Sequence, residues 1–82
     1  MANPEHIELL LAGTEAVRAW RVVHPQQQMD LTNADLSRIQ LGGADLRNAN
    51  FDGAALNAAV LTGANLTDAT ASGANLRGAR LE

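Results

Sequence analysis

From Met29 onward a large apolar residue returns at every fifth position: Leu31, Leu36, Leu41, Leu46, Phe51, Leu56, Leu61, Leu66, Leu76 and Leu81, with only Ala71 interrupting the series. A second series runs two positions earlier, through Met29, Ala34, Ile39, Ala44 and then alanine at each fifth residue to Ala79. Between the two series lies a mostly polar position, often Asp or Asn, as at Asp30, Asp35, Asp45, Asn50, Asn65 and Asn75. Two mostly polar or Gly residues follow each large one. On an α-helix five residues turn the chain by about 500°, so successive leucines would drift around the axis and form no face. Locally, however, the small and large residues point inward around an outward polar one, a three-residue strand-like step. The two residues that follow can turn a corner, and Gly43, Gly53, Gly63, Gly73 and Gly78 fall there. Four such steps make a square coil of about 20 residues per turn.

The segments Ala44-Asp45-Leu46-Arg47-Asn48, Ala64-Asn65-Leu66-Thr67-Asp68 and Ala74-Asn75-Leu76-Arg77-Gly78 resemble the A(D/N)LXX unit of the pentapeptide-repeat family. The resemblance covers residues 29–82 in eleven in-phase copies. It implies a mainly β fold, a right-handed quadrilateral β-helix. At 20 residues per coil the 54 residues make about 2.7 coils, and with coils stacked about 4.8 Å apart the rod is about 13 Å tall. Four columns stack through it: Leu31, Phe51 and Ala71; Leu36, Leu56 and Leu76; Leu41, Leu61 and Leu81; Leu46 and Leu66. Ala71 leaves room beside it in the last coil. So short a solenoid depends on its ends.

Residues 1–28 lack the five-residue period and form a helix and linker; residues 29–82 form the coil, and together they make one folding unit. Asn3-Pro4-Glu5 has the form of an N-cap, a proline at the first helical position and an early acid. Ile7, Leu10, Leu11, Val17 and Trp20 fit one helical face, Arg18 and Arg21 near its end complement the helix dipole, and Pro25 stops the helix. One helix is expected over about 4–23, with a weak point at Gly13. It resembles the N-terminal caps of bacterial pentapeptide-repeat proteins. In that role Leu10 and Trp20 would cover Leu31 and its coil-mates, with Met29 filling the junction. No equivalent follows the last repeat, so the layer of Leu66, Ala71, Leu76 and Leu81 is a candidate dimer end, paired across a two-fold axis.

Composition narrows the chemistry. There is no cysteine, which excludes disulfides and thiolate metal sites, and no lysine. The net charge of −3 argues against nucleic-acid binding through phosphate contacts. No apolar run approaches the roughly 20 residues of a membrane span, and no signal-peptide pattern opens the chain, so a soluble cytoplasmic module without membrane partners is expected. No catalytic, cofactor or metal site is expected either. His6 and His24 read as solvated surface residues, Ser37 and Ser72 have no linked His–Asp partners, and Asp30, Asp35 and Asp45 fall on different faces, where they serve solubility.

Two surface features stand out: a small apolar patch at Ala55, Ala58 and Val60, a candidate docking surface for a protein partner, and Arg38 and Arg77 on one face with Arg80 nearby. The expected function is a non-enzymatic structural or protein-interaction module whose partner is another protein or a second copy. The family suggests one alternative, a DNA-mimicking modulator of DNA gyrase. A repeat region with six acids and four arginines, and a rod far shorter than the roughly 34 Å of one duplex turn, weigh against it. Another alternative is the capped N-terminal module of a longer protein, or an engineered scaffold.

Overall fold

The computed structural model describes residues 2–81. Two helices open it, α1 (Pro4–Ala12) and α2 (Thr14–Val23). The single helix expected over about 4–23 is therefore broken at Gly13, whose φ of 113° and ψ of −179° no helix accommodates. The Gly13 N–H still closes α1 by donating to the Leu9 and Leu10 carbonyls, while its extended ψ starts α2 in a new direction. At the other end of α1 the Asn3 side chain accepts the Glu5 N–H at 2.9 Å.

The rest of the chain is a coil in which each residue between the two apolar series pairs with the residue twenty further on. Parallel bridges join Asp30 to Asn50, Asp35 to Ala55, Gln40 to Val60 and Asp45 to Asn65; a second tier joins Asn50 to Thr70, Ala55 to Asn75 and Val60 to Arg80. The hydrogen bonds run both ways: the Leu31 N–H donates to the Asn50 carbonyl at 2.9 Å, and the Asn50 N–H to the Met29 carbonyl at 2.9 Å. Among the described residues no strand exceeds one such bridge, and the helices hold all the longer regular structure. The mainly β expectation is corrected to that extent. Each side has a single extended residue between two corners, so the ladder is continuous along the stack and interrupted along the chain.

The corners explain the spacing. Each is a four-residue turn closed by a bond such as Ala34 N–H to the Leu31 carbonyl at 3.1 Å. Its third residue has a positive φ in every repeat, from 58° at Asn33 to 74° at Gly43, as a type II turn requires. The core is one cluster. It runs from Leu10 and Val17 of the helices through Met29, Leu31, Leu36, Leu41 and Leu46 to Phe51, Leu56 and Leu61, with the alanine series filling the space between. Leu66, Ala64 and Ala69 are only partly buried against it. Leu76 and Leu81 are 38% and 51% exposed. These two are corrected as members of the buried core stack: they hold inward positions, but no further layer covers them. Glu82, the final residue of the expected coil, lies outside the described residues.

Candidate functional site

A coil of this kind has two edges, and each presents backbone groups that a neighbouring coil would otherwise satisfy. At the first edge the helical segment supplies some of these partners. The Asn3 N–H donates to the Asp30 carbonyl at 3.0 Å, and the Asp30 N–H donates to Nδ1 of His6 at 2.9 Å. Thr14 Oγ1 donates to the Gly42 carbonyl at 3.1 Å. Arg21 reaches furthest: Nη1 donates to the Gln27 carbonyl at 2.8 Å and Nη2 to the Arg47 carbonyl at 3.0 Å. The four residues thus touch the coil edge near Asp30, Gly42 and Arg47, on different sides of the square. Leu10 is 1% exposed and Val17 fully buried between them.

Two readings of this end need correction. His6 is no solvated surface residue: it is 4% exposed, because its acceptor nitrogen is needed at the Asp30 amide. Burial pushes its pKa down. Arg21, which reads in the sequence as a dipole-complementing charge, is 5% exposed, and its Nε, 4.0 Å from an Asp45 carboxylate oxygen, has no hydrogen-bond partner. Trp20 is half-buried. Its ring meets His6 edge-on at 5.2 Å and His24 at 5.0 Å, with the Arg21 guanidinium 5.1 Å from its centre. The cation and the two imidazoles flank an indole that is also packed against the core cluster.

The opposite edge is open. An apolar hollow of about 120 Å³ is lined by Phe51, Leu56, Leu61, Leu66, Ala69, Ala71, Leu76 and Leu81. The small Ala71 side chain leaves a space there beneath Phe51, which is itself only 2% exposed. Around this hollow the N–H groups of Leu66, Ala71 and Leu76 find no backbone acceptor among the described residues, whereas those of Asn65, Thr70 and Asn75 donate back to Ala44, Ala49 and Ala54.

The repeat model for pentapeptide repeats matches residues 27–63 and 44–82, with eight copies. The chain belongs to the pentapeptide-repeat family. Comparison with curated proteins and with solved structures found no match.

The flanks of the pentapeptide-repeat coil are polar in an organised way. Asp30 Oδ1 accepts the Thr32 hydroxyl at 2.8 Å and the Thr32 N–H at 3.2 Å. Asp35 does the same for Ser37, at 2.6 and 3.2 Å. Asn50, Asn65 and Asn75 accept the N–H two residues on at 2.9, 3.1 and 3.1 Å. The Asp/Asn position is thus a turn-fixing position, where composition alone suggests solubility. The hydroxyl of Thr32, and then its N–H, holds the Asp30 carboxyl below its ordinary pKa; Ser37 does so for Asp35, and the Arg47 guanidinium for Asp45. Depressed carboxyls bind fewer protons than the unfolded chain, so the stability they confer is present above about pH 4 and lost as the pH falls through their folded values.

Ala55 and Val60 of the candidate patch are half-buried on adjoining sides, and Ala58 is exposed at the corner between them. Ala55 and Val60 replace the turn-fixing Asp or Asn, so no side chain bonds the amide two residues on. Among the described residues no three His, Cys, Asp or Glu gather as metal ligands, and no helix is long and apolar enough to cross a membrane.

Proposed function

We propose that this pentapeptide-repeat chain is a non-enzymatic, soluble cytoplasmic module: a right-handed, four-sided coil of about 2.7 turns that the helix pair caps at one end and that pairs end to end with a second copy at the other. The open terminal layer carries the reading. Leu76 and Leu81 expose 38% and 51% of their surface around the hollow beneath Phe51, and the amides of Leu66, Ala71 and Leu76 around them have no backbone acceptor among the described residues. A two-fold axis through that layer sets each apolar group and each open edge against its own kind, the self-complementarity an isologous interface needs. The polar flanks favour no enzymatic role: Asp30 and Asp35 spend their acceptors on turns, on separate sides of the coil.

Sedimentation equilibrium of the 82-residue chain tests the pairing. A monomer of 8.6 kDa should exchange with a dimer of twice that mass at micromolar concentration. Leu76→Asp, which sets a charge in the terminal layer while leaving the buried columns below intact, should return the sample to monomer. A wild-type chain that stays monomeric at those concentrations overturns the end-to-end reading.

A further inference from the structure

We propose that His6 is a pH-sensitive clasp, whose protonation in mildly acidic solution releases α1 from the first coil. The ring is buried at the junction, 4% exposed, and its Nδ1 is the acceptor for the Asp30 N–H at 2.9 Å. The neighbouring Asn3 N–H holds the Asp30 carbonyl at 3.0 Å. Those two bonds tie α1 to the coil backbone on that side. An imidazole accepting at Nδ1 carries its proton on Nε2. A second proton turns the acceptor into a donor aimed at another N–H, and places a charge where water scarcely reaches.

The charged and titratable neighbours come from every element packed there. Glu5 on α1 and Asp30 on the coil favour the imidazolium, while Arg21 and His24 on α2 oppose it. Asp30 is the natural counter-charge, but its Oδ1 already accepts both the hydroxyl and the N–H of Thr32. Turning it toward the ring would cost the first corner. Desolvation outweighs the attraction and leaves the His6 pKa lowered. The sign follows. Just below about pH 6.5 the unfolded or released helix binds the proton and the docked one does not. Docking strength is therefore full above that pH, falls as the pH drops toward the folded value, and has lost its whole His6 contribution below it. The coil's turn carboxylates respond only below about pH 4, so the helices loosen before the coil does.

The test compares the full chain at pH 7.5 and pH 5. On acidification, the protection of the Asp30 amide relative to the intrinsic exchange rate at each pH should fall by up to about tenfold for each unit by which the His6 pKa is depressed, the emission of Trp20 should move to the red, and the thermal midpoint should fall. In His6→Asn an amide oxygen can take the place of Nδ1 as acceptor without titrating, so these changes should vanish; His24→Asn should keep them. Identical wild-type behaviour at the two pH values, or an unaltered response in His6→Asn, overturns the proposal. Should His6→Asn fail to fold, NMR of the wild-type imidazole nitrogens decides it. A His6 that is protonated on Nε2 and titrates below about 6.5 supports the clasp, and one that titrates at or above that value overturns it.

Discussion

At the residue scale, the corner is where this repeat is most demanding. Its third residue needs a positive φ whatever its identity, and five of the ten such positions are not glycine: Asn33, Arg38, Asn48, Ala58 and Asp68. Asn and Asp tolerate that conformation because their short polar side chains bond locally. Ala58, at φ 61°, has no such compensation. A left-handed L-residue costs about 1–2 kcal/mol, while glycine loses roughly 0.5–1 kcal/mol more backbone entropy on folding. The difference favours glycine. Ala58 is exposed, so little packing is lost with its methyl group. Ala58→Gly should stabilise the chain by about 0.5–1 kcal/mol, read as a higher urea midpoint at unchanged slope. Asn48→Gly, two corners earlier and also at a positive φ, should stay within about 0.5 kcal/mol of the parent. Equal gains for the two would mean that strain at Ala58 is not the cause.

At the scale of elements, the helix pair is fastened to the coil by a few long-range polar contacts laid over an apolar seat of Leu10 and Val17. Arg21 is the widest of them, since one guanidinium holds both the linker at Gln27 and the corner at Arg47. Charge-assisted hydrogen bonds contribute about 1.5–3 kcal/mol each, but burying the charge and leaving Nε unpaired take part of that back. Arg21→Ala should therefore cost about 2–3 kcal/mol in denaturant melts. Arg21→Lys should recover less than half, because an ammonium cannot span two carbonyls as the planar fork does. A loss below about 0.5 kcal/mol in Arg21→Ala would show that the apolar seat alone holds the helices. These contacts also mark what the sequence could and could not reveal. The coil was legible because a period of five with leucine at one phase has one geometric solution, and Pro4 and Pro25 bounded the helical segment. The helix break was half-legible in Gly13. The roles of His6, Thr14 and Arg21 were not, since each bonds a carbonyl or amide at least six and up to 28 residues away, and no local pattern encodes a partner at that distance. The turn bonds of Asp30 and Asp35 could have been read from the Thr and Ser two positions on, a spacing with a known mechanism.

For the whole molecule, stacking without long strands makes stability a nearest-neighbour property. A coil gains from the layer above and the layer below, and the last layer has only one of them. Burial follows this order: Leu31, Leu41 and Leu46 are inaccessible, Phe51, Leu56 and Leu61 nearly so, and Leu76 and Leu81 largely exposed. The hydrogen bonds sharpen it, because amides one residue apart point to opposite neighbours. In the last layer the Thr70 and Asn75 N–H groups donate back at 2.9 Å each, while those of Ala71 and Leu76 face outward without an acceptor among the described residues. Hydrogen exchange on dilute protein should therefore alternate along residues 65–81, slow at Thr70 and Asn75 and fast at Ala71 and Leu76, although the members of each pair are chain neighbours. The Leu31, Leu36 and Leu41 amides, whose acceptors lie in the next coil, should be slow throughout. Raising the concentration into the range where two copies pair should slow Ala71 and Leu76 selectively, because pairing supplies what the missing layer would have supplied. Uniform protection across residues 65–81 in dilute solution would mean that the outward amides are satisfied within one chain, and the nearest-neighbour account of this coil would fail with it.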